Sequence, residues 1–149
     1  VKIVLQRVKQ AAVEVNKQTV GQIDKGVCLL VGIEKGDTEE EALYLAHKIT
    51  ELRIFPDEEG KMNLSLLDIR GEVLAVSQFT LAASLKKGRR PSFDNAEYPE
   101  RAENLFRFFV DVIKEKGIKV ETGVFGALMD VHLVNDGPVT FILEKKKLT

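Results

Sequence analysis

Ser77, Gln78 and Thr80 close a run, Val73 to Val76, that is otherwise apolar. Polar side chains at the end of a buried strand must find hydrogen-bond partners, so Ser77-Gln78-Phe79-Thr80-Leu81 is either a structural knot or a site. A second polar group is Asn135-Asp136-Gly137-Pro138-Val139-Thr140, which reads as a turn around Gly-Pro. A bond before proline takes the cis form for only about 0.5–1 kcal/mol, so Gly137-Pro138 is a candidate for it. Read alone, each segment is more often a turn or strand end than a site. A third feature is cationic: Lys86, Lys87, Arg89 and Arg90 fall close together, and Lys145, Lys146 and Lys147 follow near the end. Such charges either meet phosphates or simply stay solvated.

Other familiar chemistries find little support. The two histidines, His47 and His132, lack metal-ligand spacing, and no metal is expected. A nucleophile elbow, Gly-x-Ser-x-Gly, does not occur, although a triad assembled from distant residues stays open. No phosphate loop or dinucleotide fingerprint is found, and no cofactor is expected. Cys28, the one cysteine, lies in the apolar run Val27 to Val31. It reads as a buried thiol and fits a reducing, cytoplasmic setting.

The elements that position these residues follow from composition and periodicity. A chain of 149 residues with 44% hydrophobic and 30% charged residues suits a single domain over 1–149 with one real core. A net charge of -1 argues against a sequence-nonspecific RNA binder, so a nucleic-acid partner would meet a local patch or a shaped pocket. No run of 18 apolar residues and no basic-then-apolar leader is seen.

Ile3, Leu5 and Arg7 alternate with Val4, Gln6 and Val8, which predicts a strand that continues past a bulge to Val15. Asn16-Lys17-Gln18 turns it into a return strand over Thr19 to Ile23. Val27 to Ile33 suits a strand buried on both faces. Thr38 and Glu41 form a capping box for a helix ending near Arg53. Strands over Met62 to Leu67 and Val73 to Gln78 come next, then a long loop over 82–98. Pro99 opens a second helix, which buries Leu105, Phe106 and Phe109 and ends at Gly117. Strands over Val124 to Val134 and Val139 to Leu143, separated by a turn at Asn135 to Pro138, finish the pattern, and the tail from Glu144 is expected to be exposed. The reading is α+β: mostly antiparallel β-sheets curled into a barrel-like sandwich, with two main helices.

The two polar segments, with Val4-Leu5-Gln6-Arg7-Val8, resemble the D-aminoacyl-tRNA deacylase (D-tyrosyl-tRNA(Tyr) deacylase) family. Gly60-Lys61-Met62-Asn63, Lys87-Gly88-Arg89-Arg90-Pro91-Ser92-Phe93 and Glu121-Thr122-Gly123-Val124-Phe125-Gly126-Ala127 extend the likeness over nearly the whole chain. Ala82 and Leu85 depart from it, standing where many members carry an aromatic and a polar residue. The resemblance implies a homodimer with sites at the subunit interface, acting on aminoacyl-tRNA. It implies a catalytic segment of Ser77, Gln78, Phe79 and Thr80. It further implies a substrate pocket of Gly137, Pro138, Phe125, Met129, Asn135 and Arg7, in which a Gly-cis-Pro pair reaches from one subunit into the other. The cations Lys86, Lys87, Arg89 and Arg90 become candidates for tRNA phosphates.

Water attack on the ester would build charge on a carbonyl oxygen. Backbone N–H groups around Gln78, Phe79 and Thr80 are the expected donors to it. The resemblance adds help from the 2′-hydroxyl of the terminal adenosine, and Thr80 as a nucleophile is the lower-ranked route. Carbonyls of Gly137-Pro138 are expected to hold the α-amino group, so that an L side chain clashes with backbone while a D side chain or glycine passes. The competing readings are a non-catalytic nucleic-acid-binding module and a small-molecule esterase or amidase.

Overall fold

The computed structural model describes residues 1–147. Strand β1 (Lys2–Val15) organises the sheet. Asn16 and Lys17 both have positive φ, 51° and 65°. A two-residue type I′ hairpin requires this, and it returns the chain as β2 (Gln18–Ile23) with Val15 opposite Gln18. Strand β3 (Gly26–Gly32) lies antiparallel to the first half of β1, with Ile3 opposite Val31. It is buried on both faces, as its unbroken apolar run requires.

Thr38 caps helix α1 (Glu39–Glu51) through a complete capping box. Its oxygen accepts from the Glu40 N–H at 3.3 Å, and Glu41 accepts from the Thr38 N–H at 3.1 Å. Two short strands, β4 (Phe55–Pro56) and β5 (Met62–Leu64), form a separate hairpin. Strand β6 (Glu72–Ser77) runs parallel to β3, and a 3-10 turn over Phe79–Ala82 follows it directly. Helix α2 (Pro99–Glu115) starts with proline at its first turn, where the missing N–H costs no helical bond. Strand β7 (Val120–Thr122) then pairs parallel with β6, and β8 (Asp130–Glu144) returns to run antiparallel along β1 from Glu14 to Lys2.

The α+β barrel-like reading holds, with three differences in detail. The sheet contains two parallel pairings, β3 with β6 and β6 with β7. They arise because α1 and α2 supply the crossovers that parallel neighbours need. The Asn135 to Pro138 segment is not a turn between two strands. It is an irregularity inside the single strand β8, whose two halves both pair with β1. The expected strand over 124–134 also starts later, at Asp130, because residues 123–129 form a loop with Gly126 at φ +78°.

Two cores result. On one face of the sheet Ile3, Leu5, Leu29, Val31, Val73 and Ala75 pack against Leu45, Ile49, Phe106 and Phe109 of the helices. On the other face Val8, Val13, Ile23, Cys28, Leu74 and Val76 fill the curl of the sheet. Strand β2 comes up against β7 there, so close that a Cβ on Gly21 would lie 2.6 Å from the Thr122 carbonyl oxygen. Burial pushes the Cys28 thiol up to about 11, which fits an inert core residue. No described helix is long and apolar enough to cross a membrane.

Candidate active site

Ser77 is the last residue of β6 and pairs in register with Val31. The chain then turns sharply: the Gln78 N–H donates to the Val31 carbonyl at 2.8 Å, and the Leu81 N–H donates back to the Gln78 carbonyl at 3.2 Å. This turn rests directly on Gly32. A Cβ at that position would lie 2.8 Å from Leu81 Cβ and 3.2 Å from the Gln78 oxygen, so the close approach requires glycine. The Gln78 side-chain amide donates to Thr80 Oγ1. Among the described residues, the N–H groups of Phe79 and Thr80 donate to no protein acceptor. Both residues are exposed, Phe79 to 57%. The segment therefore presents two adjacent backbone donors at one end of the sheet. Neither the Ser77 nor the Thr80 hydroxyl is hydrogen-bonded to a carboxylate, histidine or lysine among the described residues.

The other segment is built on β8. Gln6 pairs with Thr140 and Val8 with Asn135, so β8 spends three more residues than β1 between these two rungs. The surplus carries Gly137 and Pro138, which are exposed and joined by a cis bond. Gly137 has φ +133°, and a Cβ there would meet Val139 Cγ2 at 2.7 Å and Arg7 Nη2 at 3.2 Å. Arg7, only 8% exposed, lies beneath. Its Nε donates to the Asp136 carbonyl at 3.0 Å and its Nη1 to the Ile54 carbonyl at 2.7 Å, while the Asp136 carboxylate sits 3.5 Å away. From above, Asn135 Oδ1 accepts from the Val139 N–H at 2.9 Å.

The two segments do not meet within one chain. Arg7 is in register with Val27, and Val27 with Val73, whereas Ser77 lies four residues farther along β6. At about 3.3 Å per residue this is roughly 13 Å along the strands, with β1 and β3 intervening.

Phe125 and Met129 lie in the loop after β7, which leaves the sheet at the Ser77 end. Both are half-buried, Phe125 with its ring 6.5 Å from Phe106 and Met129 against the second core. Lys86, Lys87, Arg89 and Arg90 are exposed on a tip closed by a pair of backbone bonds between Ser84 and Ser92, at 2.8 and 2.9 Å. Its neck touches the donor turn, since the rings of Phe93 and Phe79 are 5.1 Å apart. Lys145 leaves the surface less freely than expected, its N–H bonding the Val1 carbonyl and its ammonium lying over Tyr44. His47 and His132 are both on the surface, the latter 3.5 Å from Glu14. A cavity of about 350 Å³ opens between the starts of α1 and α2, but none of the candidate catalytic, pocket or tRNA-contacting residues lines it. Sequence reading gave Gln6, Thr140 and Phe93 no individual role, although all three lie in segments it singled out, and it passed over Gly32, a glycine ending a buried strand.

The chain is thus a small α+β barrel with an exposed donor turn at one sheet end and a pinned Gly-Pro protrusion on its longest strand. A solved structure named c-Myc DNA Unwinding Element Binding Protein matches 99% of this chain and 100% of its own, at TM-score 0.92 and 40% identity. A second, described as a probable eukaryotic D-amino acid tRNA deacylase, matches 95% of this chain and 97% of its own. It does so at TM-score 0.83 and 18% identity, and so shows the shared fold alone. A protein of Geotalea uraniireducens named D-aminoacyl-tRNA deacylase is 60% identical over 146 residues, covering 98% of this chain and 94% of that one. The sequence pattern of the D-Tyr-tRNA(Tyr) deacylase family matches residues 4–144. The chain belongs to that family.

Proposed function

We propose that this protein hydrolyses the ester of D-aminoacyl-tRNA, releasing the free D-amino acid and tRNA. The observation that carries the reading is the pair of unclaimed backbone donors at Phe79 and Thr80 in a chain of this family. Water bonds to the carbonyl carbon, and negative charge gathers on the carbonyl oxygen between the two N–H groups. Removing one such donor from a hydrolase costs about 2.7–4 kcal/mol, so the pair supplies a large part of the catalysis. The bond to the ribose oxygen then breaks, and that oxygen takes the proton. The neighbouring 2′-hydroxyl of the terminal adenosine assists, which agrees with the lack of an acid-base partner on the Ser77 and Thr80 hydroxyls among the described residues.

The working unit is a homodimer. Strand β8 is an outer strand with Val134, Phe141 and Ile142 exposed to 43%, 39% and 73%. A long apolar edge of this kind is normally covered. The separation of the two segments within one chain also favours a site shared between subunits, with Gly137-Pro138 of one protomer facing the donor turn of its partner. Their carbonyls hold the substrate ammonium. An L side chain then runs into backbone, whereas a D side chain or the hydrogen of glycine is accepted. Arg7 and Asn135 hold the protruding pair, Phe125 and Met129 wall the pocket, and the 86–90 tip meets tRNA phosphates. The site is occupied from the cytoplasm, where aminoacyl-tRNA is found.

A comparison of D-, L- and glycyl-tRNA tests this. Release of D-amino acid and glycine with catalytic turnover, and retention of the L-ester, is expected. Glycyl-tRNA that resists under single-turnover conditions would refute selection by clash. The name of the 40% identical structure favours one second reading, a module that binds DNA without chemistry. Binding of nucleic acid with no D-amino acid released would support it. Release from D-amino acid esters lacking RNA, indifferent to a 2′-deoxy terminal ribose, would instead indicate a small-molecule esterase.

A further inference from the structure

We propose that Gln6, Asn135 and Thr140 form a side-chain latch that sets the position of the Gly137-Pro138 protrusion, which makes Gln6 and Thr140 positioning residues for stereochemical selection. The inference rests on the proposed function, because it assigns that selection to the protrusion.

The latch follows from the missing ladder. Between the rung at Val8 and Asn135 and the rung at Gln6 and Thr140, β8 bows away from β1 by three residues and leaves backbone groups without regular partners. One side chain bridges the gap. Asn135 Oδ1 accepts from the Val139 N–H at 2.9 Å, and this bond fixes the orientation of the amide, since a backbone N–H must face oxygen. Asn135 Nδ2 is thereby turned toward Gln6 Oε1 at 2.8 Å and Thr140 Oγ1 at 3.2 Å. Gln6 and Thr140 are themselves opposite one another on the ladder. Both ends of the bow are tied to one amide, whose own rotamer is locked by acceptors on β1 and β8. Arg7 grips the Asp136 carbonyl from the opposite side, so the protrusion is held between two clamps. Without the latch, Arg7 still holds the first half of the bow, but Val139 and Pro138 lose their restraint. A clash that rejects one enantiomer works only while the backbone it needs stays in place.

The test uses the full-length protein and two contrasting pairs, Gln6→Leu with Gln6→Glu and Thr140→Val with Thr140→Ser. Leucine removes the acceptor and glutamate keeps one; valine removes the hydroxyl and serine keeps it. The ratio of kcat/KM on D- and L-aminoacyl-tRNA is measured with the melting temperature. Each hydrogen bond lost should lower that ratio up to about ten-fold. The rescuing variants should stay near the parent. Amide exchange at Val139, read by NMR, should quicken in Gln6→Leu and not in Gln6→Glu. If Gln6→Leu fails to fold, Thr140→Val carries the same comparison. Folded Gln6→Leu and Thr140→Val proteins with an unchanged ratio overturn the latch, as does equal loss on D and L substrates. A parent protein inert on D-aminoacyl-tRNA refutes the proposed function. The Val139 exchange then still judges the latch, and unaltered exchange in Gln6→Leu rejects it.

Discussion

Replacing Gly32 by alanine probes the donor turn without touching any group that meets substrate. The new methyl would lie 2.8 Å from Leu81 Cβ and 3.2 Å from the Gln78 oxygen. Carbon atoms rest at about 3.5–4.0 Å, so the turn must retreat by roughly 0.7–1.2 Å. A shift of about 1 Å in a group that positions the reaction costs on the order of 100-fold in rate. Crowding of this kind also costs about 1–3 kcal/mol of stability. The measurement is single-turnover deacylation of D-aminoacyl-tRNA with enzyme in excess, alongside a melting curve and tRNA affinity. The expected result is a folded protein that binds tRNA normally and turns over about 100-fold more slowly. A folded G32A protein with the parent's rate would refute the assignment of Phe79 and Thr80 N–H as charge-stabilising donors.

Thr80→Ala should keep turnover within about ten-fold of the parent, the size of one lost hydrogen bond, whereas loss of a true nucleophile costs about a million-fold; single-turnover rates separate the two. A variant with Lys86, Lys87, Arg89 and Arg90 all changed to alanine should bind tRNA more weakly and flatten the salt dependence of log affinity by about 0.7–0.9 per phosphate contact removed. An unaltered slope takes the tip out of the interface. Thr38→Ala should lower stability by about 1 kcal/mol through loss of the α1 cap, seen in denaturant titration, with the rate at 25 °C unchanged. Cys28, with its thiol pushed up to about 11 by burial, should resist iodoacetamide at pH 8 and label only near pH 11 or on unfolding; mass spectrometry of the native protein at pH 8 checks this.

Local signals in the chain were legible where a residue type has one dominant structural use. Thr38 with Glu41 marked the start of α1, Pro99 and Gly117 bracketed α2, and Asn16-Lys17 placed the first hairpin. The parallel pairings were not legible, since β3 and β6 carry the same apolar run whichever way they are paired. Asn135 to Pro138 looked like a turn because Asn-Asp-Gly-Pro is turn chemistry. Its use as a bow within one strand depends on β1, more than 120 residues away, staying in register on both sides. The candidate site divides along the same line. Ser77 to Thr80 stood out as polar residues ending a buried strand, but Gln6 and Gly32 owe their importance to partners that only folding brings close.

The long pairing of β1 with β8 dictates a late event in the life of each molecule. While the chain is being synthesised, β1, β2 and β3 can pair among themselves, but one side of β1 stays bare until residues 130–144 have left the ribosome. Contacts so far apart in sequence form slowly. A nascent chain therefore waits with an open hydrogen-bonding edge, and shielding by a chaperone during that interval would govern how much of the protein reaches its native state.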